Sequence, residues 1–248
     1  MPESQLLRAS LVVDVTLFVV IGLLDGTRFR QKSRRDQRTE VFSFFFLLAV
    51  PAFYAALTEA VLGRLPGRTV LLHLHPAVTF LLGLVGMDYA WYWNHRAMHR
   101  WTPLRRMHLL HHEATVMDVW VTKRNSIPAL LSLVYFWLAL PAATLFDHPD
   151  WFLAGPFLFT MPWLYFCHTR LENRLPRVWR ERLGAVLILP VHHNWHHTPE
   201  GADRNLGGIF SLWDRIHGTW LAADAFPQAY GPPTDRTRLN PPSDCSSG

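Results

Sequence analysis

The chain of 248 residues is half hydrophobic and only 17% charged, and its mean hydropathy of +0.07 excludes a disordered or fibrous protein. It contains 14 His but only 2 Cys, which excludes zinc fingers and disulfide scaffolds and indicates that any metal is bound by imidazole. The net charge of +5 comes almost entirely from Arg, and the placement of these residues along the chain favours a membrane protein over a nucleic-acid-binding one.

Five apolar stretches predict an all-α, integral-membrane helical bundle of four or five spans. In chain order they are Ala9–Leu24, Val41–Leu62, Val70–Asn94, Ala129–Phe146 and Trp151–Phe166. The second is long enough to cross a hydrocarbon core of about 30 Å at about 1.5 Å per residue, and the three that follow contain a single acidic residue between them. The first stretch is shorter and contains Asp14, so it is either a tilted span or an interfacial helix.

Basic residues divide the predicted loops into two sides. Five alternating spans place 21 of the Lys and Arg residues on one side and 3 on the other. The positive-inside rule makes the basic side cytoplasmic, and a re-entrant pair in place of two spans would give the same sidedness. The segment His95–Pro128 and the chain after Phe166 are therefore predicted to lie on a cytoplasmic helical cap.

Histidines recur with helical spacing in these two cytoplasmic segments. His95 and His99 are four residues apart, and the pattern HxxHH occurs at His108–His112 and again at His193–His197. Residues three or four apart lie on one face of a helix, so the spacing predicts groups of metal ligands. His168 follows the last predicted span and can reach the same site.

The number of imidazoles indicates two metal ions, because one first-row ion rarely takes more than six ligands. Neutral imidazole suits zinc, copper, iron or nickel, so these residues alone do not choose the metal, and a non-catalytic protein with structural zinc is the alternative. His73, His75 and His148 are predicted to lie away from the site, whereas the roles of His192 and His217 stay open.

Two further residues near the histidines receive a prediction. Asp88 precedes His95 by seven residues on the same helical stripe, so we expect its carboxylate to accept an imidazole N–H and fix the tautomer. Cys167 precedes His168 in an apolar run, and we interpret it as an inert buried thiol rather than a ligand.

Together these motifs resemble the fatty acid hydroxylase / sterol desaturase superfamily of integral-membrane di-iron enzymes. The similarity covers about residues 88–220, and its parts occur in the family's order. They are DYAWYWNHRAMHR (88–100), the first HxxHH group, His168, PVHHNWHH (190–197), NLGG (205–208) and LWDRIHGT (212–219). Two positions depart from the family: RNSIP (124–128) lacks the His of an Arg-x-His-Pro stretch, and His217 stands where relatives have an aromatic residue.

The resemblance implies a cytoplasm-facing di-iron site that uses O2 and two electrons to hydroxylate or desaturate a lipid. By matched motif position it implies eight catalytic metal ligands, with His168 as a ninth metal ligand. The eight are His95, His99, His108, His111, His112, His193, His196 and His197. Asp88, Asn205 and Asp214 are expected to support these ligands. The resemblance leaves open which lipid is used and whether it is hydroxylated or desaturated.

We predict a separate electron donor of the ferredoxin or cytochrome type, because the chain has no Gly-rich dinucleotide motif, no P-loop and no CxxC. The candidate docking residues are Arg170, Arg174, Arg177, Arg180 and Arg182, for which attraction to anionic lipid is the alternative. The expected partners are thus a lipid substrate, the bilayer and this donor, without nucleic acid. Residues 1–226 are predicted to form one membrane-embedded domain, and the Pro- and Ser-rich residues 227–248 a disordered tail.

Overall fold

The computed structural model of the chain describes residues 3–26, 28–46, 71–126 and 134–232. Short 3-10 turns at Phe29–Gln31, Val119–Lys123 and Leu171–Arg174 join α-helices within these ranges. The α-helices are α1 (Glu3–Asp25), α2 (34–46), α3 (Pro76–Arg100), α4 (Thr102–His112), α5 (Val134–Ala143), α6 (Pro149–Gly155), α7 (Met161–Cys167), α8 (Arg177–Gly184), α9 (Pro190–His196) and α10 (Leu212–Ile216).

The all-α prediction is confirmed for the part of the chain that the structure describes, where strand-like pairing is limited to two isolated bridges. None of the helices in these ranges combines the length and the apolar character needed to cross a membrane. The four or five predicted spans are therefore not confirmed. Most of the predicted span 41–62 and the beginning of 129–146 lie outside the described residues.

Local chemistry sets the beginning of α3, the helix that carries the first two candidate ligands. Nδ1 of His75 accepts a hydrogen bond from the backbone N–H of Ala77 at 3.2 Å. Pro76 occupies the first helical position, where its missing N–H costs nothing. The helix therefore begins six residues after Val70, where the predicted span starts, and it continues to Arg100.

Glycines allow α3 and α6 to pack closely. A Cβ atom added at Gly83 would lie 1.9 Å from the carbonyl oxygen of Phe152, and one added at Gly155 would lie 2.9 Å from Cβ of Leu84. Only a residue without a side chain fits at either contact. Beside it, Phe152 belongs to a buried apolar cluster that also contains Met87.

Residues 149–167 form one helical run that ends at the site. A π-helical turn, Pro156–Thr160, connects α6 to α7, and it begins at a proline that cannot donate a regular helical hydrogen bond. His168 is the residue that ends α7. The run thus contacts α3 near its first part and places His168 at its other end, next to the other candidate ligands.

The segment 220–232 packs along α9. Trp195 Nε1 donates a hydrogen bond to the Ala225 carbonyl at 2.8 Å, the Tyr230 hydroxyl donates to Asn194 at 2.8 Å, and the Gly231 N–H donates to the His197 carbonyl at 3.1 Å. Residues 227–232, the first part of the predicted disordered tail, are thus held against α9. Residues 233–248 lie outside the described residues.

Candidate metal centre

Nine buried histidines come together in two adjacent groups, and in each group the candidate ligand atoms lie within 4.8 Å of one another. The first histidine group consists of His95, His99, His108, His112 and His196. The second histidine group consists of His111, His168, His193 and His197. All nine histidines predicted as metal ligands are therefore in one place, and His168 joins the eight that come from the HxxxH and HxxHH motifs.

Helical spacing explains how α3, α4 and α9 serve two groups. Both histidines of α3 enter the first group. In α4, His108 and His112 are four residues apart and enter the first group, whereas His111 is turned toward the second. The HxxHH pattern at His193–His197 has the opposite arrangement, since its middle histidine, His196, enters the first group and the other two enter the second. The rings of His112 and His197 stack across the boundary with centroids 4.5 Å apart, so the two groups touch.

The nitrogen separations in each group fit a metal ion. In the first group, Nε2 of His95 lies 3.2 Å from Nε2 of His108 and 3.1 Å from Nε2 of His196. In the second, Nε2 of His168 lies 3.4 Å from that of His111 and 3.1 Å from that of His193. Neighbouring imidazole nitrogens about 2.0–2.1 Å from one ion lie roughly 2.8–3.0 Å from each other in octahedral geometry and roughly 3.3–3.4 Å in tetrahedral geometry. The imidazoles are thus spaced as ligands of two metal ions.

Backbone carbonyls fix the tautomer of four of these rings. Nδ1 of His95 donates a hydrogen bond to the Leu206 carbonyl at 2.9 Å, and Nδ1 of His168 donates to the Leu164 carbonyl at 2.7 Å. Nδ1 of His196 donates to the Arg204 carbonyl at 2.8 Å, and Nδ1 of His111 donates to the Arg124 carbonyl at 3.1 Å. With the proton held on Nδ1, each Nε2 presents its lone pair to the centre of its group.

Burial keeps the nine imidazoles in the neutral form that binds metal. It lowers the pKa of His95 and of His168 to about 4, and it lowers the pKa of the other seven well below the usual value. The neighbouring imidazoles lower these pKa values further. The buried Nε2 of His99 has no hydrogen-bond partner in the described structure, as expected of a nitrogen reserved for a metal.

Asp88 does not accept an imidazole N–H, and that prediction is wrong. Its fully buried carboxylate accepts hydrogen bonds from the backbone N–H groups of Ile209 and Phe210, at 2.8 and 3.1 Å, and from Nε1 of Trp213, at 2.8 Å. Asp88 therefore holds the loop that contains the NLGG motif. The same loop contains the Leu206 carbonyl that contacts the candidate ligand His95.

Asp214 and Asn205 hold the same loop from the other side. The carboxylate of Asp214 accepts the N–H groups of Leu206 and Gly207, both at 2.8 Å, and the hydroxyl of Thr219 at 2.6 Å. Asn205 adopts a positive φ of 53°. Its side-chain amide donates hydrogen bonds to the backbone carbonyls of residues 192 and 221. Because the loop carbonyls 204 and 206 hold two ligands of the first group, these polar residues support it indirectly.

The remaining histidines lie outside both groups. His73 is 76% exposed beside Asp147, and His75 caps α3 at the end opposite to its ligands. His148 is also exposed in its side chain. His192 and His217, whose roles the sequence left open, also lie outside the groups. Nδ1 of His192 accepts a hydrogen bond from the Leu189 N–H at the beginning of α9, and the His217 ring stacks on two tyrosines of α3. Cys167 donates its thiol to the Ile188 carbonyl and belongs to neither group.

The first group opens to the outside through a small cavity of about 20 Å³, room for about one water molecule. Its lining includes His99, His108 and His112, together with Arg105 from α4 and Gly231 from the C-terminal segment. The cavity thus borders three candidate ligands of the first group. Sequence reasoning did not single out Arg105, since it carries no motif.

The proposed docking arginines have different surroundings. Arg174 donates to the carbonyl of Leu24, and Arg170 donates to the Tyr230 hydroxyl. Arg177 pairs with Glu181 at 2.6 Å on the exposed face of α8. Arg170 and Arg174 thus contact other parts of the fold, whereas the Arg177 ion pair lies within α8. Arg174 and Arg177 are both exposed.

The motifs and the two groups agree with a comparison to known families. The fatty acid hydroxylase family matches residues 80–219, more than half of the chain and all nine clustered histidines, so the chain belongs to this family. The chain is similar to alkylglycerol monooxygenases: it is 31% identical over 147 residues to the protein of Xenopus tropicalis, 31% over 146 to that of Danio rerio and 27% over 146 to that of Homo sapiens.

These alignments cover 58% of this chain but only 30–31% of each relative, so the chain matches about a third of the length of these curated proteins. No solved structure matches it. The resemblance predicted from the motifs is confirmed at the level of the family.

Proposed function

We propose that this chain is a di-iron, O2-dependent oxidoreductase that hydroxylates or desaturates a lipid. The observation that carries the proposal is the pair of adjacent, buried, all-histidine groups with ligand-like nitrogen separations. Iron is proposed because a lipid C–H bond needs an oxidant stronger than any side chain, and imidazole is a suitable ligand for iron.

Bound iron would supply the activation of O2, and the residues of the chain position and protect it. The first group offers five imidazoles and the second offers four, so an ion in the second would keep more positions open for O2 or substrate. The carbonyls of residues 124, 164, 204 and 206 hold the rings in the metal-binding tautomer. Burial limits the access of bulk water to the nine candidate ligands, each of which is at most 7% exposed.

We propose an alkylglycerol-type ether lipid as the first substrate to test. The relatives in three vertebrates are named as alkylglycerol monooxygenases, which favours insertion of one oxygen atom over desaturation. Fatty-acyl, sterol and carotenoid lipids are the competing substrates. The electrons would come from a separate donor of the ferredoxin or cytochrome type, docking on the arginine-bearing face.

We also propose that the enzyme works in contact with a bilayer, with the site on the cytoplasmic side. An exposed apolar stripe on α3 supports this placement: it consists of Val78, Leu81, Leu82, Val85, Tyr89 and Trp93. These positions follow the i, i+3, i+4, i+7 pattern of an amphipathic helix, so they lie on one face of α3. The stripe ends in two aromatic residues near the histidine groups, as at a membrane–water interface.

Single-turnover oxidation tests the proposal. Iron-loaded, chemically reduced protein in detergent is mixed with O2 and each of the four lipid classes, and products are measured by mass spectrometry with labelled O2. We expect one labelled oxygen atom in the alkylglycerol product. His111→Ala should abolish product and reduce bound metal without affecting membrane insertion, because it removes a ligand and little apolar surface.

His73→Ala is the matched control, since it exchanges the same residue type at an exposed position on the opposite end of α3 and should leave turnover unchanged. Equal loss in both variants would contradict the proposed site. Protein that carries stoichiometric zinc after growth with ample iron, and that forms no product, would establish the alternative of a zinc-stabilised, non-catalytic protein.

A further inference from the structure

Arg124 is a buried arginine beside the second histidine group that the proposed reaction leaves without a role. Its side chain is 2% exposed and lies in the chain segment that follows α4. Nε donates a hydrogen bond to the carbonyl of Leu110, in the last turn of α4, at 2.7 Å. Nη1 donates to the carboxylate of Asp36 at 2.6 Å and lies 3.8 Å from Glu40. The guanidinium therefore connects the end of α4 to α2.

The main chain of the same residue contacts a candidate metal ligand. The carbonyl of Arg124 accepts the hydrogen bond from Nδ1 of His111 at 3.1 Å, and Nε2 of that ring then faces His168 at 3.4 Å. Leu110 and His111 are consecutive residues. Arg124 thus holds one turn of α4 twice, once by its side chain and once by its carbonyl.

Acidic residues of α2 fix the guanidinium in place. Asp36 and Glu40 are one helical turn apart, and Glu40 is fully buried, where it also accepts both hydrogen bonds of 2.8 Å from Lys32. A buried cation is stable only when it is paired and hydrogen-bonded. The planar fork of arginine directs donors on separate nitrogens at the helix carbonyl and at the carboxylate, whereas a lysine carries all its donors on one nitrogen.

We propose that Arg124 is a positioning residue for the metal of the second histidine group, because it fixes the carbonyl that orients His111. The inference rests on the proposed metal centre, and it predicts that the two metal sites depend on different residues of the chain. The two carbonyls found on ligands of the first group belong to residues 204 and 206, on a different loop. Loss of Arg124 should therefore weaken the second metal and spare the first.

The test is a titration of the metal-free full chain in detergent with Co²⁺ alone, followed by visible absorption and metal analysis. We expect the wild type to bind about two Co²⁺ ions, one for each group. Arg124→Met should raise the Kd of one ion by about 10- to 100-fold, as is usual when a partner of a ligating histidine is lost, and should alter the absorption of that ion only. Arg124→Lys keeps the charge but not the fork, so the Kd should rise by a smaller factor.

Lys123→Met is the matched control. Lys123 is the preceding residue, its side chain is 8% exposed, and it pairs at 2.8 Å with Asp14 of α1, so this variant also breaks a buried ion pair between the same segment and an N-terminal helix. None of its side-chain contacts reaches a ligand in the described structure. It should bind both ions with affinities within about threefold of the wild type.

Asp36→Asn provides a second variant if Arg124→Met does not fold, because its carboxylate is 19% exposed and the exchange removes the charge that pairs with the guanidinium without leaving a cavity. It should also weaken one ion and spare the other. Unchanged affinity and absorption in both variants would overturn the inference alone, as would an equal loss in Lys123→Met. A wild-type chain that binds no Co²⁺ would overturn the metal centre and this inference with it.

Discussion

Replacing Asp214 by Asn should weaken the first metal site through the loop behind it. The carboxylate is fully buried and accepts three hydrogen bonds, of which two come from the backbone N–H groups of Leu206 and Gly207. An amide has one acceptor oxygen, so its NH2 group must face one of these two donors. The hydroxyl of Thr219 can turn to adapt, but one backbone N–H is left without an acceptor.

The expected magnitude follows from that single orphaned donor. A buried N–H without a partner costs about 1–3 kcal/mol. For a chain of this size, each kcal/mol lowers Tm by about 2–4 °C, so we expect a decrease of about 2–12 °C. The displaced carbonyl of Leu206 no longer orients His95, which should raise the metal Kd of the first group by about 10- to 100-fold.

Thermal unfolding and metal titration of the detergent-solubilised protein measure both effects. Asp224→Asn is the control, because it makes the same exchange at an exposed position of the C-terminal segment and should change neither Tm nor affinity. The reasoning is refuted if Asp214→Asn keeps wild-type affinity at the first group, or if it weakens the second group as much as the first.

Three further predictions concern packing and metal dependence. Gly83→Ala should lower Tm by several degrees in thermal unfolding, because its Cβ would lie 1.9 Å from the Phe152 carbonyl oxygen. The control Gly86→Ala places its Cβ where no atom lies within 4 Å, and it should stabilise α3 by up to about 1 kcal/mol. Equal Tm values for the two variants would contradict the close α3–α6 contact. Cys167→Ala should retain both metal ions on metal analysis, since its thiol belongs to neither group, and loss of one ion would make it a ligand. Chelation should lower Tm by about 5–10 °C for each ion that had been present at about 100 times its Kd, and an unchanged Tm would show that folding is independent of metal.

The sequence predicted which histidines come together because their pattern is local. His108, His111 and His112 are within one helical turn, so spacing alone places them on nearby faces. Spacing could not tell that His111 serves a different group from its neighbours, because that depends on how α4, α7 and α9 meet. The prediction for Asp88 failed for a related reason: its partners are 121 to 125 residues away, and two of them are backbone N–H groups that leave no trace in the sequence.

The acceptors behind the ligands were missed altogether. These acceptors are backbone carbonyls, which any residue type could supply, so no sequence motif indicates them. They belong to Arg124, Leu164, Arg204 and Leu206. The NLGG motif was visible, but its role in presenting a carbonyl to His95 depends on the folded loop. The all-α class was predicted correctly from the long apolar stretches, whereas the membrane spans inferred from the same stretches remain a prediction.

The metal content of the purified chain tests the central claim most directly. After growth with ample iron, the wild type should contain about two iron ions per chain, one for each histidine group. His99→Ala and His193→Ala, which each remove one ligand from a different group, should each lower the content to about one. A wild type with less than one metal ion per chain, or variants that both keep two, would contradict the account of two separate histidine-bound ions.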